Sequence, residues 1–283
     1  MRWILMVAIG LLQVQLSAQK QSLCYEITNP QLGTKTSYLF GTMHVMEESS
    51  FFFPKKISKL LKKSKVLCLE IKDVASVSIE SKLLFDTTFS IKQYCNSSQW
   101  DSLMNWANDI LLLNPKQFEN TFLNAKPFLF LQFILATDLP KKTKSHEIEL
   151  EKIAKGKNLT ILQLEGIEAQ LSIFDEIPYE GQVELIFNAL KNLEQGKQDF
   201  IEMQKLYANQ NLDELCGFAI KGFLEEYRAL FLDHRNKKWI ETMERMMLED
   251  STFFAVGAGH LCGEDGLLAL LGQKGYQIKV IYL

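Results

Sequence analysis

The chain has 283 residues, 47% of them hydrophobic, enough to bury a sizeable core in one large α/β domain or two smaller ones. Thirty-one Lys and Arg against 34 Asp and Glu give a net charge of −3, and the sequence pI is near 5.9. With its lysines spread along the chain, this balance offers no basic field to hold a phosphate backbone, so nucleic acid is not expected as a partner.

The opening stretch, MRWILMVAIGLLQVQLSAQK, places Arg2 before an apolar run and exits through the small residues Ser17 and Ala18. That is the three-part plan of a secretory signal, and residues 1–18 are read as one, with cleavage after Ala18. Leu16 is large for its position three residues before that bond, which leaves a retained anchor as the alternative, although the run is short for a spanning helix. The remainder, 19–283, is then an exported domain, periplasmic or secreted, with membrane contact only through the segment if it is kept. Five cysteines (Cys24, Cys68, Cys95, Cys216, Cys262) at irregular spacing, with no CxxC pair, do not read as a disulfide framework. Cys68, inside VLCLEI, reads as a small buried hydrophobe; Cys262, two residues after His260, would lie near a metal held there but is not expected as a ligand, because a short loop rarely aims both side chains at one metal.

LCYEIT and SYLFGT predict two strands joined by the polar turn NPQLGTKT, an antiparallel hairpin. The motif GTMH, Gly41 to His44, follows the second strand; then come a loop with Pro54, a basic helix in KKISKLLKKSK and a strand in VLCLEI. Residues 80–140 read as mainly helical, and the most apolar piece, PFLFLQFILA, is too short to span a bilayer and should pack inside that region. A third α/β unit runs from the helical SHEIELEKIAKGKN into LTILQLEG and IEAQLSIFDEIP. Residues 180–248 are again mainly helical. The C-terminus repeats the early plan: TFFAVGAGH holds a second GxxH, Gly257 to His260, followed by the helical GEDGLLALLGQKG and the strand YQIKVIYL.

Two β-GxxH-α-β units thus bracket the chain. The expected fold is α/β, a single domain with a central, mostly parallel sheet and a large helical insertion or cap. Parallel strands joined through helices gather their loops at the carboxyl edge of the sheet, where such sheets bind ligands. Each motif glycine is expected to let the backbone turn as its strand ends, bringing His44 and His260 into one cleft.

Glu70 ends the strand VLCLE and should reach the same edge; a carboxylate there is costly to bury without a cation, metal or donor, the alternative being a solvated strand cap. Two imidazoles and a carboxylate suit a divalent metal with open positions. Glu165, at the end of LTILQLE, is a second carboxylate open to use as ligand, general base or orienter. Arg235, in YRALFLDHRNKKWIETM, is placed to pair a carboxylate or stabilise an oxyanion. His146 and His234 lie among polar neighbours and read as surface residues.

These residues, with their joint order through SYLFGTMHV, VLCLEI, NAKPFLFLQFILA, SHEIELEKIAKGKNLTILQLEGIEAQLSIFDEIP, DHRNKKWIETM and FFAVGAGHLCGEDGLLALLGQKGYQI, resemble the TraB/PrgY/GumN family, whose animal relatives are the Tiki metalloproteases. The resemblance implies an erythromycin-esterase-like or ChaN-like core. It implies a site of His44, His260, Glu70 and Arg235, with the family's LET glutamate at Glu165. Two departures stand out: many relatives carry a Gly-x-Asp where this chain has SHEIE, so that Glu147 would replace the aspartate, and LEG here stands for LET.

The function implied is an exported metal-dependent hydrolase, a peptidase acting on a peptide or protein substrate, with Mn²⁺, Co²⁺ or Zn²⁺ as the divalent ion. The rival is a binding protein that sequesters a peptide, haem or metal in the same cleft without turnover; hydrolysis of a small ester is the third reading.

Overall fold

In the computed structural model, residues 22–73, 84–137, 139–219 and 223–283 are described. The proposed signal segment, 1–18, lies outside them. Among the described residues no helix is long and apolar enough to cross a membrane.

The N-terminal hairpin forms as expected: β1 (Cys24–Thr28) pairs antiparallel with β2 (Ser37–Thr42). After a short β3 (Met46–Glu47) the chain enters α1 (Lys55–Leu61), which buries Ile57, Leu60 and Leu61 and feeds β4 (Val66–Leu69). Helices α2 (Ser97–Ile110), α3 (Pro115–Phe122) and α4 (Pro127–Thr137) follow. The first two begin on Asn96 and Asn114, each closing a capping box with a glutamine three residues on. Then come β5 (Thr143–Lys144), paired with β3, α5 (His146–Lys155) and β6 (Thr160–Gln163). A helical run comprises α6 (Ile167–Asp175), α7 (Tyr179–Lys191), α8 (Leu193–Ala208), α9 (Leu212–Ala219), α10 (Phe223–Arg228) and α11 (His234–Glu249). Finally β7 (Thr252–Gly257), α12 (Leu267–Gln273) and β8 (Gln277–Val280) close the chain.

The main sheet has the order β6-β4-β7-β2-β1-β8, with β6, β4, β7 and β2 mutually parallel and β1 antiparallel to both its neighbours. This is the mostly parallel α/β sheet expected. The two strands carrying GxxH motifs are direct neighbours, paired so that Phe40, Gly41 and Thr42 face Ala255, Val256 and Gly257. Apolar burial divides into two clusters. One covers the sheet and includes Phe40, Leu67, Phe253 and Phe254 with Tyr207 and Trp239; the other lies in the helices and includes Trp106, Phe118, Phe130, Ile134 and Ile186. The helical region therefore has its own core, to which α4 contributes Phe130, Leu131 and Ile134 while leaving Phe133 and Leu135 exposed.

One reading of the sequence is corrected. His146 is fully buried, not on the surface. Its polar sequence neighbours hide the fact that the first turn of α5 faces the sheet, where the ring packs against Phe40, Phe51, Phe53 and Tyr207. Its Nδ1 lies 2.9 Å from the Met43 carbonyl and its Nε2 2.9 Å from that of Phe52. His234 is exposed, as expected. Cys262 is bonded to Cys216 across 46 residues, so it has no thiolate to offer a metal while that bond stands, and Cys24, Cys68 and Cys95 remain free. Spacing could not reveal this pair because α9 comes beside the His260 turn only in three dimensions.

Candidate active site at the carboxyl edge of the parallel strands

Four consecutive parallel strands end at one cleft. β2 runs out to His44, β4 to Glu70, β6 to Glu165 and β7 to His260, and the Glu165 amide donates to the Glu70 carbonyl at 3.1 Å, which locks two of these ends together. The cleft is closed by the first two turns of α11, which carry Arg235, Asn236 and Trp239. All five residues singled out from the sequence are brought together.

The motif glycines act by close approach rather than by turning the chain, because neither has a positive φ. A Cβ on Gly41 would lie 2.7 Å from Leu261 Cδ1 and 3.1 Å from Ala258 Cα, both in the second motif's turn. A Cβ on Gly257 would lie 3.1 Å from His44 Nε2 and 3.3 Å from Glu70 Oε1. Each motif is thus glycine where the other motif must pass.

Glu70 is buried and fully engaged: Oε2 accepts from Arg235 Nη2 at 2.6 Å and Oε1 from the Gly257 amide at 2.7 Å. Desolvation pushes its carboxyl up, but the His260 and His44 imidazoles, the Arg235 guanidinium and the Gly257 N–H together hold it at about 2. The strand-cap alternative is thereby excluded. His260 Nδ1 lies 2.7 Å from Asn236 Oδ1. Since Asn236 Nδ2 donates to the Asp265 carbonyl at 2.9 Å, its oxygen faces the ring, so Nδ1 carries the proton and Nε2 the lone pair. That Nε2 accepts from Arg235 Nη1 at 3.2 Å and lies 3.6 Å from Glu70 Oε1. Burial, with Arg235 and His44 nearby, depresses the His260 pKa to about 3, keeping the ring neutral.

His44 is held in the same manner by a different residue. Its Nδ1 is 2.8 Å from Glu147 Oε1, and its Nε2 points to Glu70 Oε1 at 3.9 Å. Its side chain is 59% exposed, the most open of the set. Desolvation disfavours charge on the ring, yet Glu147 and Glu70 outweigh it and lift its pKa to about 9. Glu147 stands in the first turn of α5, where a helix N-terminus favours an anion, and accepts from Thr42 Oγ1 at 2.5 Å and Ser145 Oγ at 2.7 Å. Despite its burial these bonds and the His44 charge hold its carboxyl well below the usual range.

Arg235 spends all five N–H donors. Nε and Nη2 go to Glu165 Oε1 at 3.0 and 2.5 Å, Nη1 to the Phe231 carbonyl at 2.8 Å and to His260, and Nη2 also to Glu70. Phe231 lies in the π-helical turn Ala229–Asp233, which precedes α11 and presents that carbonyl. Of the two roles the sequence left open, the geometry supplies carboxylate pairing and leaves no donor for an oxyanion. Glu165 Oε2 accepts from Trp239 Nε1 at 3.2 Å and from Arg235 Nε at 3.3 Å, so its lone pairs are also occupied. The Trp239 ring lies tilted against His260, centroids 4.5 Å apart, and carries the Arg235 guanidinium 4.7 Å above it. Asn236 and Trp239 were not singled out from the sequence, although the i, i+4 spacing from Arg235 places Trp239 on the same helix face.

Among the described residues no group of three or more His, Cys, Asp and Glu side chains is arranged to hold a metal ion as it stands. The donor chemistry nevertheless fits. Two imidazole nitrogens approach one carboxylate oxygen at 3.6 and 3.9 Å. Donors each about 2.1 Å from one ion are separated by at most about 4.2 Å. Gly257 leaves open the space a Cβ would fill beside His44 Nε2 and Glu70 Oε1. What a cation would have to displace is the Arg235 contact that uses the His260 lone pair.

The TraB/PrgY/gumN family matches residues 25–280, nearly the whole chain, and the protein belongs to that family. Comparison with curated proteins and with solved structures finds no match.

Proposed function

We propose that this TraB/PrgY/gumN protein is an exported hydrolase of peptide bonds that works with a divalent cation, Mn²⁺, Co²⁺ or Zn²⁺, held by His44, His260 and Glu70. The observation that carries the reading is the approach of both Nε2 atoms to Glu70 Oε1, with each ring aimed from behind through Nδ1. That arrangement, in which an acceptor behind each imidazole fixes its tautomer and raises its basicity, is how proteins prepare histidine ligands. A cation bound there would polarise a substrate carbonyl and acidify a water.

The chain's own residues do the rest. Glu147 and Asn236 orient the two rings. Arg235 keeps Glu70 ionised and pointed at the cleft, and Glu165, its oxygens taken by Arg235 and Trp239, steadies Arg235 instead of accepting a proton. His44, the exposed member, marks the side from which substrate enters.

The test is to strip the purified protein, add back each ion, and measure both ion binding and cleavage of a peptide library, with His44→Ala and His260→Ala alongside. Ion-dependent cleavage lost in both variants is expected; turnover unchanged in both would sink the proposal. One observation favours the rival reading. With every Arg235 donor engaged, the cleft also suits a protein that retains a peptide, haem or metal ion without turnover, which tight retention with no product would reveal.

A further inference from the structure

The bond between Cys216 and Cys262 ties α9 to the turn that bears His260, and its two ends differ in access. Cys262 is buried two residues beyond His260, whereas Cys216 is half-buried on α9 between the buried Leu212 and Leu215 and the exposed Gly217. The Cys262 carbonyl accepts from Arg228 Nη2 at 2.9 Å, and Arg228 Nε donates to Asp233 at 3.2 Å, two residues before Arg235. The disulfide therefore anchors the residue whose carbonyl is tied, through the Arg228 side chain, to the start of the Arg235 helix.

We propose that Cys216–Cys262 is a thiol–disulfide exchange site through which a dithiol reductant turns the catalytic cleft down. This rests on the site described above, and it deepens that reading by naming how the site is regulated. One thiolate of the dithiol attacks the sulfur of Cys216, the less buried of the two residues, a mixed disulfide forms, and Cys262 leaves as a thiolate that takes up a proton. The second thiol of the dithiol then displaces the Cys216 sulfur. The products are the oxidised dithiol and two cysteine thiols, a transfer of two electrons and two protons to the protein.

Loss of the bond removes the covalent tie that holds the His260 turn against α9. Packing of α9 against the core through Leu212 and Leu215 resists movement on one side. The other side is the short turn Ala258–Leu261, which without the tie is free to carry His260 against Asn236 and Glu70. Misplacement of a reacting group by about 1 Å can cost about 100-fold in rate.

The experiment uses the whole chain in buffers of reduced and oxidised dithiothreitol, with the state of the bond read by alkylation and mass spectrometry and the fold by circular dichroism. Nitrogen-15 NMR follows the His260 Nδ1–H signal, assigned with His260→Asn, and Co²⁺ affinity and peptide turnover are measured in the same samples. Reduction at retained fold is expected to broaden or displace the His260 signal and to lower Co²⁺ affinity and turnover at least tenfold, with Cys216→Ser matching the reduced protein. An unchanged His260 signal in fully reduced, folded protein would overturn the proposal, as would a bond that yields only on unfolding. If neither redox state cleaves peptide, the hydrolase reading fails while the NMR signal still decides this one.

Discussion

Glu147 holds His44 through a 2.8 Å hydrogen bond although 103 residues separate them, and it is the only acceptor behind that ring among the described contacts. From the first turn of α5 its carboxylate delivers an oxygen to Nδ1. Glu147→Gln keeps the shape and removes the charge. It should weaken Mn²⁺ or Zn²⁺ binding by about 10–100-fold, the usual cost of losing a partner behind a histidine ligand. Isothermal titration of the variant checks this, and unchanged affinity would remove Glu147 from the site.

Arg235 neutralises two carboxylates at once, the buried Glu70 and the partly buried Glu165. Arg235→Met leaves both without their cation and should cost about 3–5 kcal/mol, the range for breaking a buried ion pair from one side. Urea unfolding measures it. Arg235→Lys should recover little, since one ammonium cannot reproduce the guanidinium fork that reaches Glu70, Glu165, Phe231 and His260 together.

The two glycines separate stability from function. Gly41→Ala drives a Cβ to 2.7 Å from Leu261 Cδ1 and 3.1 Å from the Ala258 backbone. It should destabilise by about 1–3 kcal/mol, as overpacking does. At Gly257 the nearest atom is His44 Nε2, on an exposed side chain that can swing away, so Gly257→Ala should cost less than about 1 kcal/mol in stability yet abolish ion binding. Equal effects of the two variants on melting would contradict this division.

His146 gives a pH dependence of stability. Burial pushes its pKa below the ordinary 6.5, although the Met43 and Phe52 carbonyls and the Glu147 charge act in the opposite direction. The unfolded chain takes up a proton on this ring as pH falls through about 6.5 and the folded chain does not. Its contribution is thus complete above that pH and is lost progressively below it. Comparing urea midpoints between pH 7.5 and 5.5, wild type should lose more stability than His146→Gln, and identical losses would mean that the buried ring titrates normally.

Much of this site was legible before any coordinates. The paired GxxH motifs, the carboxylates closing two apolar strands and the α/β alternation all depend on short-range pattern, and they led to His44, His260, Glu70, Glu165 and Arg235. His146 was misread because its neighbours in sequence are polar while its neighbours in space are Phe40, Phe51, Phe53 and Tyr207. Glu147 was visible only as a possible replacement for an aspartate, and Asn236 and Trp239 not at all.

The sequence by itself determined the strands, the helices between them and the kinds of donor that end at the sheet edge, because periodicity and residue chemistry are local properties. Tertiary structure decided the rest. The register that sets Thr42 beside Gly257 brings each motif against the other's glycine, and the docking of α11 uses every donor of Arg235. Only the folded chain brings Cys216 to Cys262. These depend on which surfaces meet between segments far apart in the chain, and packing free energy, not local preference, selects among them.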